Sequence, residues 1–324
     1  MAFTLSISLG VQGSWAAEKK ALTWGTTGSA SGLFPFFVIS AKILNEKNPG
    51  INITVRSTGG VVHNTRLIEK REIDVGAIDT KFAWEAIQGK GAFEGKPFPD
   101  ADLRLLYVFM TNPFNFVVSE KSGVKTIYDL EGKLYCAGAT GSSTETIGMD
   151  IFRILGVHPK LRRMGYADAL EAMKNEQIVG WAKMGLPDAQ ILDAASAMKI
   201  RILSFTDAEI DKILKEVVGL RKTVVPAGMY PGVAEYKTVE NEWSDFSRKD
   251  FPADMAYQWV KTIWENRAEI KRGYPAIWTA DRLVEISLAV KTPGIYLHPG
   301  AVKFFREIGQ TVPKNLIPPE MGEK

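Results

Sequence analysis

ALTWGTTGSASGLFPFFVISAKILNEKNPGINITV, residues 21–55, sets the architecture. A short apolar run over residues 21–25 gives way to the turn Gly25-Thr26-Thr27-Gly28-Ser29-Ala30-Ser31-Gly32. A helical apolar period follows over 34–48, and period-two alternation returns at Ile51, Ile53 and Val55. Downstream the same rhythm predicts a helix over 61–70, a strand over 73–78, a helix over 82–88 and an apolar strand over 103–110. Strands alternating with helices predict an α/β fold with a mainly parallel, helix-covered sheet. At Thr111-Asn112-Pro113 the rhythm breaks. A second set then predicts strands at 116–119, 134–138, 177–183 and 200–203, with helices at 145–155, 167–174 and 188–197. Pro226, Gly228, Pro231 and Gly232 mark a return, and a long helical stretch covers 253–272. These boundaries give two lobes joined by two chain crossings, the first built from 18–111 and 225–324 and the second from 112–224.

Bulk properties remove several function classes. The 324 residues carry 40 basic and 37 acidic side chains spread along the chain, so no basic block suits a nucleic acid. Cys136 is the single cysteine, which excludes an intrachain disulfide. His63, His158 and His298 lie far apart without metal-ligand spacing, and no cofactor is expected. Residues 1–17 hold no charged side chain, include an apolar run over 3–11 and end in Ser14-Trp15-Ala16-Ala17 before Glu18. They read as the remnant of a secretory signal that lacks the usual cationic start, which points to a periplasmic protein. No later segment has the roughly 18 uninterrupted apolar residues of a membrane span.

Three Gly/Ser/Thr-rich turns each fall between a predicted strand and a predicted helix: 25–32, Ser57-Thr58-Gly59-Gly60, and 138–144, which contains Thr140, Gly141, Ser142, Ser143 and Thr144. Glycine admits close backbone approach, hydroxyls hydrogen-bond adaptably, and a helix N-terminus offers N–H groups with partial positive charge. Such turns suit a carboxylate or phosphate, and in α/β sheets they lie at the ligand crevice. One such turn is equally explained as a helix start, and Ser142 with Glu145 fits a capping box; three of one type favour a ligand. No Gly-Lys-Ser/Thr closes any loop, Ala30 stands where a nucleophile-elbow serine belongs, and neither Ser142 nor Ser143 has an identifiable histidine partner. An enzyme is therefore not expected.

In the order and spacing of these marks the chain resembles the TAXI branch of substrate-binding proteins from tripartite ATP-independent periplasmic (TRAP) transporters, over about residues 22–309. The resemblance rests on the first turn, Ser57-Thr58-Gly59-Gly60 with Asn64 and Arg66-Leu67, Asp74-Val75-Gly76, and Gly141-Ser142-Ser143-Thr144-Glu145. Val225-Pro226-Ala227-Gly228-Met229-Tyr230-Pro231-Gly232 and Leu297-His298-Pro299-Gly300-Ala301 complete it. It implies a monomeric, two-lobed (type II-like) periplasmic binding protein that closes on a small solute and delivers it to membrane-embedded TRAP subunits. The family's ligands are small carboxylates, glutamate among them. By the same resemblance Thr27, Gly28, Ser29, Thr58 and Gly60 line the first lobe's side of the cleft.

Several positions depart from the family pattern. Phe34 replaces a common tyrosine, Asp79-Thr80-Lys81 replaces a common Gln-Ser-Asp, and Trp84 replaces a tyrosine. Trp181, Lys183 and Met184 occupy a segment that is usually apolar and hydroxyl-bearing. Lys81 and Lys183 pointing into the cleft from opposite lobes predict a dicarboxylate or aromatic carboxylate, with Phe34, Trp84 or Trp181 against its apolar body. The alternatives are lysines reaching solvent and tryptophans in the core, with Asp79 accepting from an amino-acid ligand or from Lys81. After Thr238-Val239, the polar stretch 240–246 puts the family's strand there in doubt or makes it an exposed edge. The competing functions are an enzyme or a ligand sensor on the same two-lobed fold.

Overall fold

A computed structural model describes residues 19–29, 31–98, 102–277 and 279–322; the leader expected at 1–17 lies outside them. In chain order the elements are β1 (Lys20–Gly25), α1 (Phe34–Lys47), β2 (Ile51–Arg56), α2 (Val61–Glu69), β3 (Val75–Asp79), α3 (Thr80–Gln88) and β4 (Leu103–Ser119). There follow β5 (Leu134–Cys136), α4 (Ser143–Leu155), β6 (Lys160–Leu161), α5 (Tyr166–Lys174), β7 (Gly180–Met184), α6 (Ala189–Ala197), β8 (Ile200–Ile202) and α7 (Asp207–Glu216). The chain closes with β9 (Leu220–Val225), β10 (Tyr236–Arg248), α8 (Ala253–Glu265), α9 (Arg267–Gly273), α10 (Leu283–Leu288) and α11 (Pro299–Glu307).

The two-lobed α/β expectation holds, and its first-lobe elements match closely. β1 pairs in parallel with β2 and β3, as successive β-α-β units require. Buried Phe36, Phe37, Ser40, Ala41, Ile43 and Leu44 recur along α1 at helical spacing and face the sheet. Trp24 on β1 packs edge-on against Phe37 and Trp259, with ring centroids at 5.2 and 5.0 Å, so α1 and α8 share one aromatic core. In the second lobe β5 pairs in parallel with β6 and β7.

The centre of the sheet is antiparallel, unlike the expected mainly parallel arrangement. The strand order runs β2-β1-β3-β10-β4-β7-β5-β6, and β10 pairs antiparallel with both β3 and β4. β4 does not stop at Asn112-Pro113: it continues for 17 residues and passes from the first lobe's partners into β7 and β8 of the second. β10 makes the return crossing alongside it. The stretch 240–246 is thus neither unstructured nor an edge. Glu240, Asn241, Glu242, Ser244, Asp245 and Ser247 are each at most 4% exposed. The strand survives because many of its polar groups are matched: Asp245 accepts from the Trp24 indole at 2.9 Å, Glu240 pairs with Arg221 at 2.8 Å, and Glu242 accepts from Thr80 at 2.9 Å.

Two further boundaries move. Val225, Tyr230, Val233 and Tyr236 pack with Trp181 in the second lobe, so the Pro/Gly turn forms the β9–β10 hairpin. The return to the first lobe therefore falls inside β10, downstream of residue 225. The helix expected over 253–272 divides at Asn266, which joins α8 to α9.

Candidate ligand cleft

Between the lobes, strand ends, helix N-termini and the two crossing strands converge. Asn64 on α2 organises the first-lobe side: its amide donates to the carbonyls of Thr26 and Ala77, both at 2.8 Å. The Thr58 hydroxyl donates to the Thr26 carbonyl at 2.6 Å, and the Gly60 N–H to the Thr58 oxygen at 3.1 Å. The first two turns are thereby held as one unit. Gly60 sits at φ +93° before α2, a conformation that disfavours a side chain. Thr27 is buried, while Gly28 and Ser29 are exposed and Phe34 is half-buried at the start of α1.

The residues that replace the common Gln-Ser-Asp are turned inward. Asp79 caps α3 by accepting from the Phe82 N–H at 2.9 Å, and burial pushes its carboxyl up to about 7. The Lys81 ammonium pairs with Glu85 and lies 4.6 Å from the Phe82 ring centroid, leaving the residue 3% exposed. Gly219 of the second lobe seals this corner. Its φ is +87°, and a Cβ there would lie 2.5 Å from the Lys81 Cα. Lys81 is therefore committed to an internal ion pair and not to the cleft. Trp84 is half-buried beneath Lys90, whose ammonium is 5.0 Å from its ring.

The second-lobe wall is more open. Ser142 caps α4 by accepting from the Glu145 N–H at 3.1 Å, while Glu145 accepts from the Gly141 N–H and from Arg163, each at 2.7 Å. The capping reading of this turn thus holds for Ser142. The N–H groups of Ser143 and Thr144 precede the first helical bond and have no intrahelical acceptor. Thr140 and Gly141 are exposed, and Thr144 is buried.

Lys183 is the cation of this wall. Its Nζ lies 3.1 Å from Gln190 Oε1, 3.6 Å from Asp188 and 3.5 Å over the Tyr166 ring, with 16% of the side chain exposed. Burial pulls its ammonium below the ordinary lysine range, against the opposing pull of Asp188. Burial pushes the Tyr166 hydroxyl up, against the opposing pull of the Thr144 and Ser142 hydroxyls at the α4 turn. Asn115 and Tyr230 both donate to the Gly185 carbonyl, and the Asp188 N–H donates to the Tyr230 oxygen, so this loop is tied to the crossing strand β4. Burial pushes the Tyr274 hydroxyl up at the end of α9, and the charge of Asp188 adds to that shift.

Trp181 is fully enclosed in the second lobe's core, and Met184 packs against the opposite face of that sheet from Lys183. Neither faces the cleft with Lys183. A surface concavity of about 570 Å³ lined by Glu120, Ser196, Lys199, Pro231 and Gly232 lies apart from all these residues. Sequence reasoning missed Tyr166, Asp188, Gln190 and Tyr274. Asp188 alone carried a signal, as a helix cap; Tyr166 and Tyr274 sit at helix ends without any motif.

A sequence profile of the NMT1-like family matches residues 25–309. Among solved structures, a Bordetella bronchiseptica protein superposes with a TM-score of 0.51 at 13% identity, covering 90% of this chain and 99% of its own. A Xanthomonas citri protein bound to chloride ion gives 0.51 at 10% identity, covering 89% and 99%. A probable amino-acid ABC transporter extracellular-binding protein from Bacillus subtilis gives 0.50 at 12% identity, covering 82% and 100%. At such identities the likeness is one of fold alone, a two-lobed α/β fold.

Proposed function

The chain belongs to the NMT1-like family, and from that premise we propose that it is the extracytoplasmic binding subunit of a solute importer, taking a small carboxylate between its lobes by hinge closure. The observation that carries this reading is the second-lobe wall, where the half-buried Lys183 ammonium leans on the Tyr166 ring beside the N-terminus of α4. An ammonium partly withdrawn from water and intrahelically unpaired N–H groups together complement a carboxylate. β4 and β10, the two crossing strands, supply the hinge, and ligand contacts from both lobes stabilise the closed form. The order of motifs shared with TAXI proteins supports periplasmic work beside ion-driven TRAP membrane subunits. No nucleophile-and-base pair is assembled at this wall among the described residues, so we assign it binding and not turnover.

The test is a thermal-shift screen of the purified protein against aliphatic, dicarboxylic, oxo, amino and aromatic acids. At least one class is expected to raise the melting temperature, and Lys183→Ala to weaken that ligand by about tenfold or more. No shift with any acid, or a shift indifferent to Lys183→Ala, overturns the reading.

A further inference from the structure

Polar side-chain atoms that the fold leaves unpartnered form a row at the hinge. Along the first-lobe sheet order β1-β3-β10-β4, four adjacent strands each place one there: Thr27 just beyond β1, Asp79 at the end of β3, Asn241 on β10 and Asn112 on β4. Their exposures are 7%, 0%, 0% and 4%. Yet Thr27 Oγ1, Asp79 Oδ2, Asn112 Nδ2 and both polar atoms of the Asn241 amide have no hydrogen-bond partner among the described residues. Buried polar groups in native proteins are overwhelmingly paired, so this cluster at the meeting of the lobes is an exception that calls for a function.

The register sets three of these side chains within the span of one small molecule. Asn112 and Asn241 are direct cross-strand partners, and Asp79 is opposite Trp243, two residues along β10 from Asn241. Alternation puts Asn241 and Trp243 on one face, which makes Asp79 and Asn241 diagonal neighbours roughly 7–8 Å apart. Lys183 is the register partner of Asn115, three residues along β4 from Asn112, so the row and the Lys183 wall meet at the same stretch of the crossing strand.

We propose that Asn112 and Asn241, with Asp79 beside them, are specificity-determining residues that read the uncharged end of a monocarboxylate, and that the group they read is an amide or a hydroxyl. The inference rests on the carboxylate reading of the Lys183 wall. Asparagine offers both donors and an acceptor, which an amide or hydroxyl answers in kind. A second carboxylate meets no free cation in the row: Lys81 is held by Glu85, and Arg221 is shared between Glu240 and Glu242.

The test uses a C4 to C6 series of monoamides, ω-hydroxy acids, dicarboxylates, unsubstituted acids and neutral diamides, titrated against the full chain by calorimetry. A monoamide or ω-hydroxy acid is expected to bind about tenfold more tightly than the matching dicarboxylate and unsubstituted acid. Asn241→Leu removes an unpaired buried amide, so the ligand-free melting temperature is expected to rise by about 2 °C or more while that preference disappears. Asn112→Leu is expected to act in the same direction. Asn241→Ala repeats the ligand measurement with a side chain that fits without repacking. A residue that merely held the hinge together would behave oppositely, with lower melting and intact preference, and that result overturns the proposal. So does a dicarboxylate that matches the monoamide. Diamide binding that depends on Asn241 while no acid binds would overturn the carboxylate reading and uphold the row.

Discussion

In the first lobe, Lys81 lies in the opening turn of a helix, and its ammonium is taken by Glu85 one turn on and covered by Gly219. In the second, Lys183 lies at a strand end, keeps 16% of its side chain exposed, and leans on a tyrosine ring with Asp188 at 3.6 Å. The residue type is the same, and both follow a β-strand's approach to the cleft. What separates them is the neighbour: a carboxylate at i+4 on a helix is within easy reach of the ammonium, whereas Asp188 spends one oxygen capping α6. The comparison teaches that accessible charge is one-sided: the second lobe presents an ammonium, while the first lobe and the hinge offer uncharged hydrogen-bonding groups.

The sharpest way to break this contrast is Lys81→Ala. Removing the ammonium strands Glu85, itself 9% exposed, and loss of one partner of a buried pair costs about 3 kcal/mol or more. Urea denaturation is expected to show that loss, while ligand affinity of the folded protein stays within about twofold, below the scale of one hydrogen bond. Replacing both partners together, Lys81→Met with Glu85→Leu, is expected to restore most of the stability. Lost binding with stability intact would mean that Lys81 leaves Glu85 for the ligand and that the walls are alike.

The same locality explains what the sequence made legible. Over 21–88, strands buried by helices on their own chain neighbours give an apolar-run and helical-period pattern that needs no distant information. β10 was hidden because its polarity is matched from afar: Asp245 by Trp24, 221 positions away, and Glu242 by Thr80, 162 positions away. β4 was cut in two because Asn112-Pro113 reads as punctuation, although the strand passes through it between lobes. In the cleft, the three turns were visible as glycine and hydroxyl clusters before helices. Tyr166 and Asp188 were not, since their meeting at Lys183 depends on how α5 and α6 pack and on no spacing within either of them. Lys81 and Lys183 looked equivalent for the same reason: only tertiary structure distinguishes a sealed lysine from an accessible one.

A smaller effect sharpens the contrast through pH. Asp79 has a folded-state carboxyl at about 7, raised chiefly by burial, against roughly 3.9 in an unfolded chain. Between these values the native state holds the proton more tightly, so this group's contribution to stability falls as pH rises, by at most about 1.4 kcal/mol per unit. Asp79→Asn keeps the α3 cap and removes the titration. Its stability relative to the parent protein is therefore expected to improve progressively from pH 4.5 to 7. Asp245, also at about 7, contributes in the same sense as Asp79. His298, lowered to about 4 by burial, contributes oppositely, losing stability as pH falls through its unfolded value near 6.5. Both are present in the two proteins and cancel in the difference. Parallel stability curves would show that Asp79 is ionised in the fold, making the first-lobe wall anionic instead of neutral.

The smallest expected effect decides how the second wall would hold the proposed anion. Ser142 already accepts from the Glu145 N–H, and Glu145 is fixed from outside the helix by Gly141 and Arg163. Ser142→Ala should therefore act as the loss of an N-cap, costing about 1 kcal/mol of stability in denaturant titrations. Ligand affinity should move by no more than about threefold, because the N–H groups of Ser143 and Thr144 and the Lys183 ammonium remain. An affinity loss above about tenfold with stability unchanged would instead assign the Ser142 hydroxyl to the ligand. The wall would then grip its anion through hydroxyls, with Lys183 supplying field and not contact, and the asymmetry between the two lysines would be one of environment without being one of function.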